Sequence, residues 1–274
     1  RAQIQERQKE SSAYIFARLR QEGVKGMSVA DAREKTIEIV RDNVGVFGDQ
    51  AQALSASFFD EICDAEDMDA DPGIMFDDLI DDSMLENKVH YYAGKLVDGD
   101  WDGYVGSNAD LAAFYVHKSA LDNMVKNCGL NHVRYARVGT GRETCGFCFM
   151  LASRGFVYAS EKTAEAGSHH HCDCIIVPGK NGRTKIQGYD PDGMRKRFRE
   201  VYESAGGADS AADAFYEATI EDLNRFTGKD QAKKRARFKT KWISHELEQY
   251  DSTWLYRGIK PKGGPKITAP MTGG

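Results

Sequence analysis

The chain is 274 residues long, carries a net charge of −5 and is 41% hydrophobic, enough to bury a real core in one or two domains. No stretch approaches the ~20 consecutive apolar residues of a membrane-spanning helix, and residues 1–6 have no secretory-signal character. The bulk charge is too small to name a partner, and Arg1 is not a natural first residue, so a further portion upstream is expected.

The N-terminal part reads as helices. Ser28 followed by Asp31 resembles a capping box, and Ile37, Val40 and Val44 then share one helical face. Gly48-Asp49 reads as the start of a second helix carrying Leu54, Phe58, Phe59 and Ile62, ending before the breaker Asp71-Pro72-Gly73. A third is expected from about Ile74 to Leu96, closed by Asp98-Gly99-Asp100. Ser107 and Asp110 read as the opening of a fourth, with Leu111, Phe114, Leu121 and Val125 on one side and Gly129 as its C-cap. Lys118 falls on that apolar side, so it must snorkel or mark a partly exposed face.

Charge is unevenly spread. Residues 60–82 carry a run of Asp and Glu uninterrupted by Lys or Arg, whereas residues 229–241 are strongly basic. Such runs are solvated faces or contact surfaces. An EF-hand is rejected for the acidic run, and calcium binding is not expected there: Asp67-x-Asp69-x-Asp71 is followed by Pro72-Gly73, and Asp78 stands where an EF-hand needs Glu.

From Val133 the texture changes. Val133-Arg134-Tyr135-Ala136-Arg137-Val138 alternates as a strand does, and Gly155-Phe156-Val157-Tyr158 and Ile175-Ile176-Val177 are short strand candidates. Helical periodicity returns with Met194, Phe198 and Val201, then over residues 209–226 and 230–250. The expected class is α+β and mainly helical: N-terminal and C-terminal helices around a small β-structure pinned by a zinc knuckle. The expected divisions are a helical region at 1–130, a β-rich module at 131–182, a second helical region at 183–252 and an extended Gly/Pro/Lys tail at 253–274.

Four of the six cysteines lie in that middle window, as Cys145-Gly146-Phe147-Cys148 and then His169-His170-His171-Cys172-Asp173-Cys174. Two soft-ligand clusters facing each other across a loop are what a closed tetrahedral zinc site needs. In a C-x-x-C turn both thiolates point to one side, with Gly146 letting the backbone curl beneath the metal. Counting His169 and His171, six donors compete for four places. The favoured set is Cys145, Cys148, His169 and one of Cys172 or Cys174. A disulfide or unligated thiols are the alternative, but this cysteine usage fits a reducing compartment better than a disulfide scaffold. A site closed by thiolates and imidazole is structural, because it leaves no position for a catalytic water.

In their order these motifs resemble the phage Mu F-like minor head proteins. The resemblance runs over residues 133–178: the strand Arg134-Tyr135-Ala136-Arg137-Val138, Cys145-x-x-Cys148, Gly155-Phe156-Val157-Tyr158, His169-x-x-Cys172-x-Cys174 and Ile175-Ile176-Val177-Pro178. The form Thr140-Gly141-Arg142-Glu143-Thr144-Cys145 with a later His-Cys-Asp-Cys looks like the minor capsid proteins of tailed phages that infect actinobacteria. One departure is His170-His171, where the family usually carries Pro-Asn or a similar pair; this leaves the choice of imidazole open. The resemblance implies a structural virion component of the head interior, assembled in the host bacterial cytoplasm. Its partners would be the portal protein and other head proteins, with no membrane and no small-molecule substrate. It would assist head assembly and DNA packaging or delivery.

Two other functions compete. A treble-clef-like zinc nuclease would find histidines in His169, His170 and His171. A zinc deaminase needs H-x-E ahead of P-C-x-x-C, which is missing, and His245-Glu246 lacks the second histidine of H-E-x-x-H because Gln249 stands there. No catalytic residues are therefore assigned. A sequence-independent DNA-binding module would use Lys233, Arg237 and Lys241, spaced as one helical stripe beside the apolar pair Phe238 and Trp242, to meet the phosphates of packaged DNA.

Overall fold

The computed structural model describes residues 2–76, 81–139, 146–159, 174–180 and 183–211, together with 239, 242, 243 and 246. The chain divides into two units, Arg1–Val133 with Ala159–His170 and Arg134–Tyr158 with His171–Gly274. Among the described residues, the first unit comprises helices α1 (Ala2–Gln21), α2 (Val29–Ala65), α3 (Asp82–Val97) and α4 (Trp101–Leu130). A single 3-10 turn, Val24–Gly26, joins the first two.

Ser28 starts α2 as its spacing to Asp31 predicts, its hydroxyl accepting from the Asp31 amide at 3.2 Å and donating to the Asp31 carboxylate at 2.7 Å. The helix then runs unbroken through Gly48, so the second start expected there is corrected. Gly48 is a close-approach point: a Cβ on it would meet Ser119 Oγ of α4 at 3.0 Å. Around such contacts Ile15, Leu19, Val40, Leu85, Tyr104 and Leu111 form one buried cluster contributed by all four helices. Buried polar pairs fix the register of the helices, Ser11 Oγ to Asn43 Oδ1 at 2.6 Å and Tyr104 OH to Thr36 Oγ1 at 2.7 Å.

Two helix boundaries differ from the sequence expectation. Asp100 caps α4, accepting from the Gly103 amide at 2.9 Å, so the helix begins before Ser107; Gly103 and Gly106 hide its first turns from periodicity. It closes on Asn131 rather than Gly129, with His132 taking a positive φ of 53°. Lys118 resolves its position on the apolar side by pairing with Asp122 one turn on.

Residues 74–76 are not helical, and α3 begins at Asp82 under an Asp81 cap. The chain at 71–76 is a strap whose main chain is held by side chains of α2, of α4 and of the α4 C-cap Asn131. Asn131 accepts from the Asp71 amide at 2.6 Å, and Asn127 both accepts from the Ile74 amide at 2.7 Å and donates to its carbonyl at 2.8 Å. Gln52 accepts from the Phe76 amide at 2.9 Å, and Asp60 accepts from the Gly73 amide.

The second unit contains β1 (Tyr135–Gly139), α5 (Gly146–Ala152), β2 (Cys174–Pro178) and α6 (Pro191–Ser204). The strands pair antiparallel, from Tyr135 opposite Pro178 to Gly139 opposite Cys174. The described fold is thus mainly helical with a small two-stranded sheet. The third strand candidate reduces to a single bridge, in which Tyr158 and Tyr135 exchange both main-chain hydrogen bonds; the Tyr158 side chain serves α5. Its hydroxyl donates to the Leu151 carbonyl at 2.7 Å, and Tyr189 donates to the Ala152 carbonyl at 2.6 Å, so both satisfy the end of α5. Arg195 of α6 adds a bond to the Ser153 carbonyl at 3.3 Å.

Met194 and Val201 form the buried side of α6, as their spacing predicts, and Asp190 caps it ahead of Pro191. Phe198 stacks on Tyr202 with ring centroids 6.1 Å apart. The helices expected over 209–226 and 230–250 lie mostly outside the described residues; positions 209–211, 239, 242, 243 and 246 are helical. No helix among the described residues is long and apolar enough to cross a membrane.

Candidate metal centre

Strand register builds the site. Residues two apart on a strand share a face, so Arg137 and Gly139 of β1 lie on the same face as Ile176 and Cys174 of β2. Cys174 sits directly opposite Gly139, which has no side chain to fill the space beside the sulfur, and diagonal to Arg137. Helix α5 packs against β1 and brings Cys148 to the same point. The two sulfurs are 3.9 Å apart. Both residues are buried, and Arg137, only 2% exposed, donates from Nη1 to Cys174 Sγ at 3.4 Å.

The separation is informative. A disulfide requires about 2.05 Å between sulfurs. Two thiolates bound tetrahedrally to one zinc, each about 2.3 Å from it, lie about 3.8 Å apart. The spacing of Cys148 and Cys174 is that of two corners of a zinc tetrahedron, and equally that of a hydrogen bond between two thiols.

Cys148 and Cys174 are the sequence-predicted donors that the structure brings together. Cys145, His169 and Cys172 lie outside the described residues, as do Lys233, Arg237 and Lys241. Among the described residues no group of three or more His, Cys, Asp or Glu side chains converges. One local expectation is corrected: Gly146 is not in a turn but is the first residue of α5. Burial of Phe149, Leu151 and Ala152 holds this segment helical, and Cys148 presents its sulfur from that helix. Near the basic segment, Trp242 packs edge-on against Tyr202 at 6.2 Å, and Lys239 Nζ stands 5.4 Å from the centroid of the same ring.

Sequence reasoning missed Arg137, reading it as the polar phase of an alternating strand. Its available signal was the motif order: a cation in a strand just ahead of the first cysteine pair.

The other two cysteines behave differently. Cys63 of α2 is buried, and that burial, with Asp60 and Asp64 adding, pushes its thiol up to about 11. Cys128 of α4 is pushed up further, chiefly by burial and then by nearby Cys63. Both remain neutral thiols near pH 7 and are poor metal ligands.

These features define a mainly helical protein with a buried thiol pair built on a short β-ribbon. A sequence model of the VG15 protein family matches residues 1–201, from α1 through both strands and into α6. The chain belongs to this family, whose name designates a viral gene product, consistent with a phage protein. No curated protein and no solved structure matches the chain.

Proposed function

We propose that the chain is a structural minor head protein of a tailed phage, associated with the portal and the capsid interior, assisting head assembly and DNA packaging or delivery. Membership of a viral family supports this reading. The observation that carries it is the buried convergence of Cys148 and Cys174 at 3.9 Å. These are the described members of the motif through which residues 133–178 resemble the Mu F-like minor head proteins.

Cys148 and Cys174 would hold one zinc ion, with Cys145 and an imidazole, foremost His169, as the further donors and Cys172 as the competing thiolate. Bound there, zinc supplies a structural cross-link between segments far apart in sequence. The donor set is thiolate-rich and both described sulfurs are buried, which suits structure rather than catalysis. On this reading the protein resides in the virion after assembly in the host cytoplasm, with the portal and other head proteins as its partners.

Crosslinking mass spectrometry on intact heads, paired with elemental analysis of the purified chain, tests this. The expected result is crosslinks to portal or inner capsid subunits and one zinc per chain. Absence of the chain from purified heads would refute the assignment.

A further inference from the structure

The residue that the metal reading leaves unexplained is Arg137. A guanidinium is always charged, and burying one is costly unless an anion or strong acceptors receive its protons. Arg137 is 2% exposed and stands on the ribbon face that carries Cys174. Its Nη1 reaches that sulfur at 3.4 Å, within the range of an N–H···S bond. The other sulfur of the pair, Cys148, is 3.9 Å beyond.

We propose that Arg137 is the counter-ion and positioning residue of the metal centre, neutralising a thiolate-rich zinc site and aiming Cys174 at the metal through an N–H···S bond. This rests on the zinc reading above and adds to it. The charges balance: zinc(II) with three thiolates and one neutral imidazole carries a single negative charge, which one guanidinium cancels. Its contact favours Cys174 over Cys172 as the thiolate from the second cluster. Groups that hydrogen-bond to metal ligands fix ligand orientation and tune affinity.

The test uses the full chain and two probes, zinc(II) in competition with a chromophoric chelator and cobalt(II) read by its thiolate-to-metal charge-transfer band. Arg137→Met, similar in length but uncharged, is expected to lose about 10-fold to 100-fold in zinc affinity. Arg137→Lys keeps the charge and should lose less than about 10-fold, yet its cobalt band should move because the donor on the sulfur has changed. Unaltered zinc affinity in Arg137→Met overturns the proposal while leaving the zinc site intact. If Arg137→Met does not fold, Arg137→Lys decides: a displaced band supports the contact, and a band identical to the parent's refutes it. A parent chain that binds neither metal removes the zinc reading and this proposal together.

Discussion

The two units bury cysteines for opposite ends. In the helical unit Cys63 and Cys128 are lodged in long helices where burial holds both thiols neutral. In the ribbon unit Cys148 and Cys174 are equally buried, but their sulfurs converge and a guanidinium donates to one of them. Burial alone thus makes a cysteine a small apolar side chain. Convergence beside a cation sets Cys148 and Cys174 apart, and the zinc proposed above would make them ligands. The units also differ in what holds them: the first has a core cluster spanning four helices, whereas the described part of the second relies on a two-stranded ribbon and tyrosine hydroxyls that tie off a short helix.

The sharpest way to break this contrast is to test the zinc proposed for the ribbon unit. Structural zinc contributes on the order of 10 kcal/mol at neutral pH, so Cys148→Ser or a strong chelator should unfold the ribbon unit. Hydrogen exchange should show the β1 and β2 amides losing protection while those of α2 and α4 keep theirs. Equal protection of β1 with and without chelator would show that the ribbon unit stands by itself.

A core truncation probes the other side. Phe59 is fully buried in α2, and Phe59→Ala should cost about 3–5 kcal/mol in the helical unit, seen as a lower urea midpoint by far-ultraviolet circular dichroism. Zinc stoichiometry should not change; a loss of metal in this variant would mean that the units do not fold independently. Smaller again is Tyr158→Phe, which removes the donor to the Leu151 carbonyl and should cost about 1–2 kcal/mol in the ribbon unit, read from the exchange rates of α5 amides.

The mildest effect comes from pH. The folded Cys63 thiol ionises at about 11 against an ordinary value of 9.0. Its raised value stabilises the fold fully below about pH 9, and that contribution is lost as pH rises through about 11. Cys63→Ala should flatten that alkaline decline in the helical unit's urea midpoint; an unchanged slope would show that Cys63 does not govern it.

Legibility in the sequence followed how local each cause was. The Ser28 cap and the buried side of α6 are fixed by neighbours in sequence and could be read; the two strands could be located, but not their pairing across residues 139–174. Gly48 misled because its reason is Ser119, distant in sequence. Residues 74–76 misled for the same cause: Asn127 and Gln52, not local propensity, bind the main chain at positions 74 and 76. Helix α5 is seven residues long, too short for periodicity to declare itself. Of the candidate site, the cysteines were visible from composition and spacing. Arg137 was not, because alternation assigns polar residues to solvent, and here Tyr135, Ala136, Arg137 and Val138 are all buried.

The strap at residues 71–76 has a consequence for sequence variation. Its anchors address main-chain N–H and C=O groups, so they are blind to side-chain identity at most positions. Ile74 and Met75 are 47% and 54% exposed, and nearly any residue should be accepted there. Gly73 is different: a Cβ on it would come within 2.5 Å of the Ala56 carbonyl oxygen. In a library randomised across this segment and selected for folded protein, diversity should survive at 74 and 75 and collapse to glycine at 73.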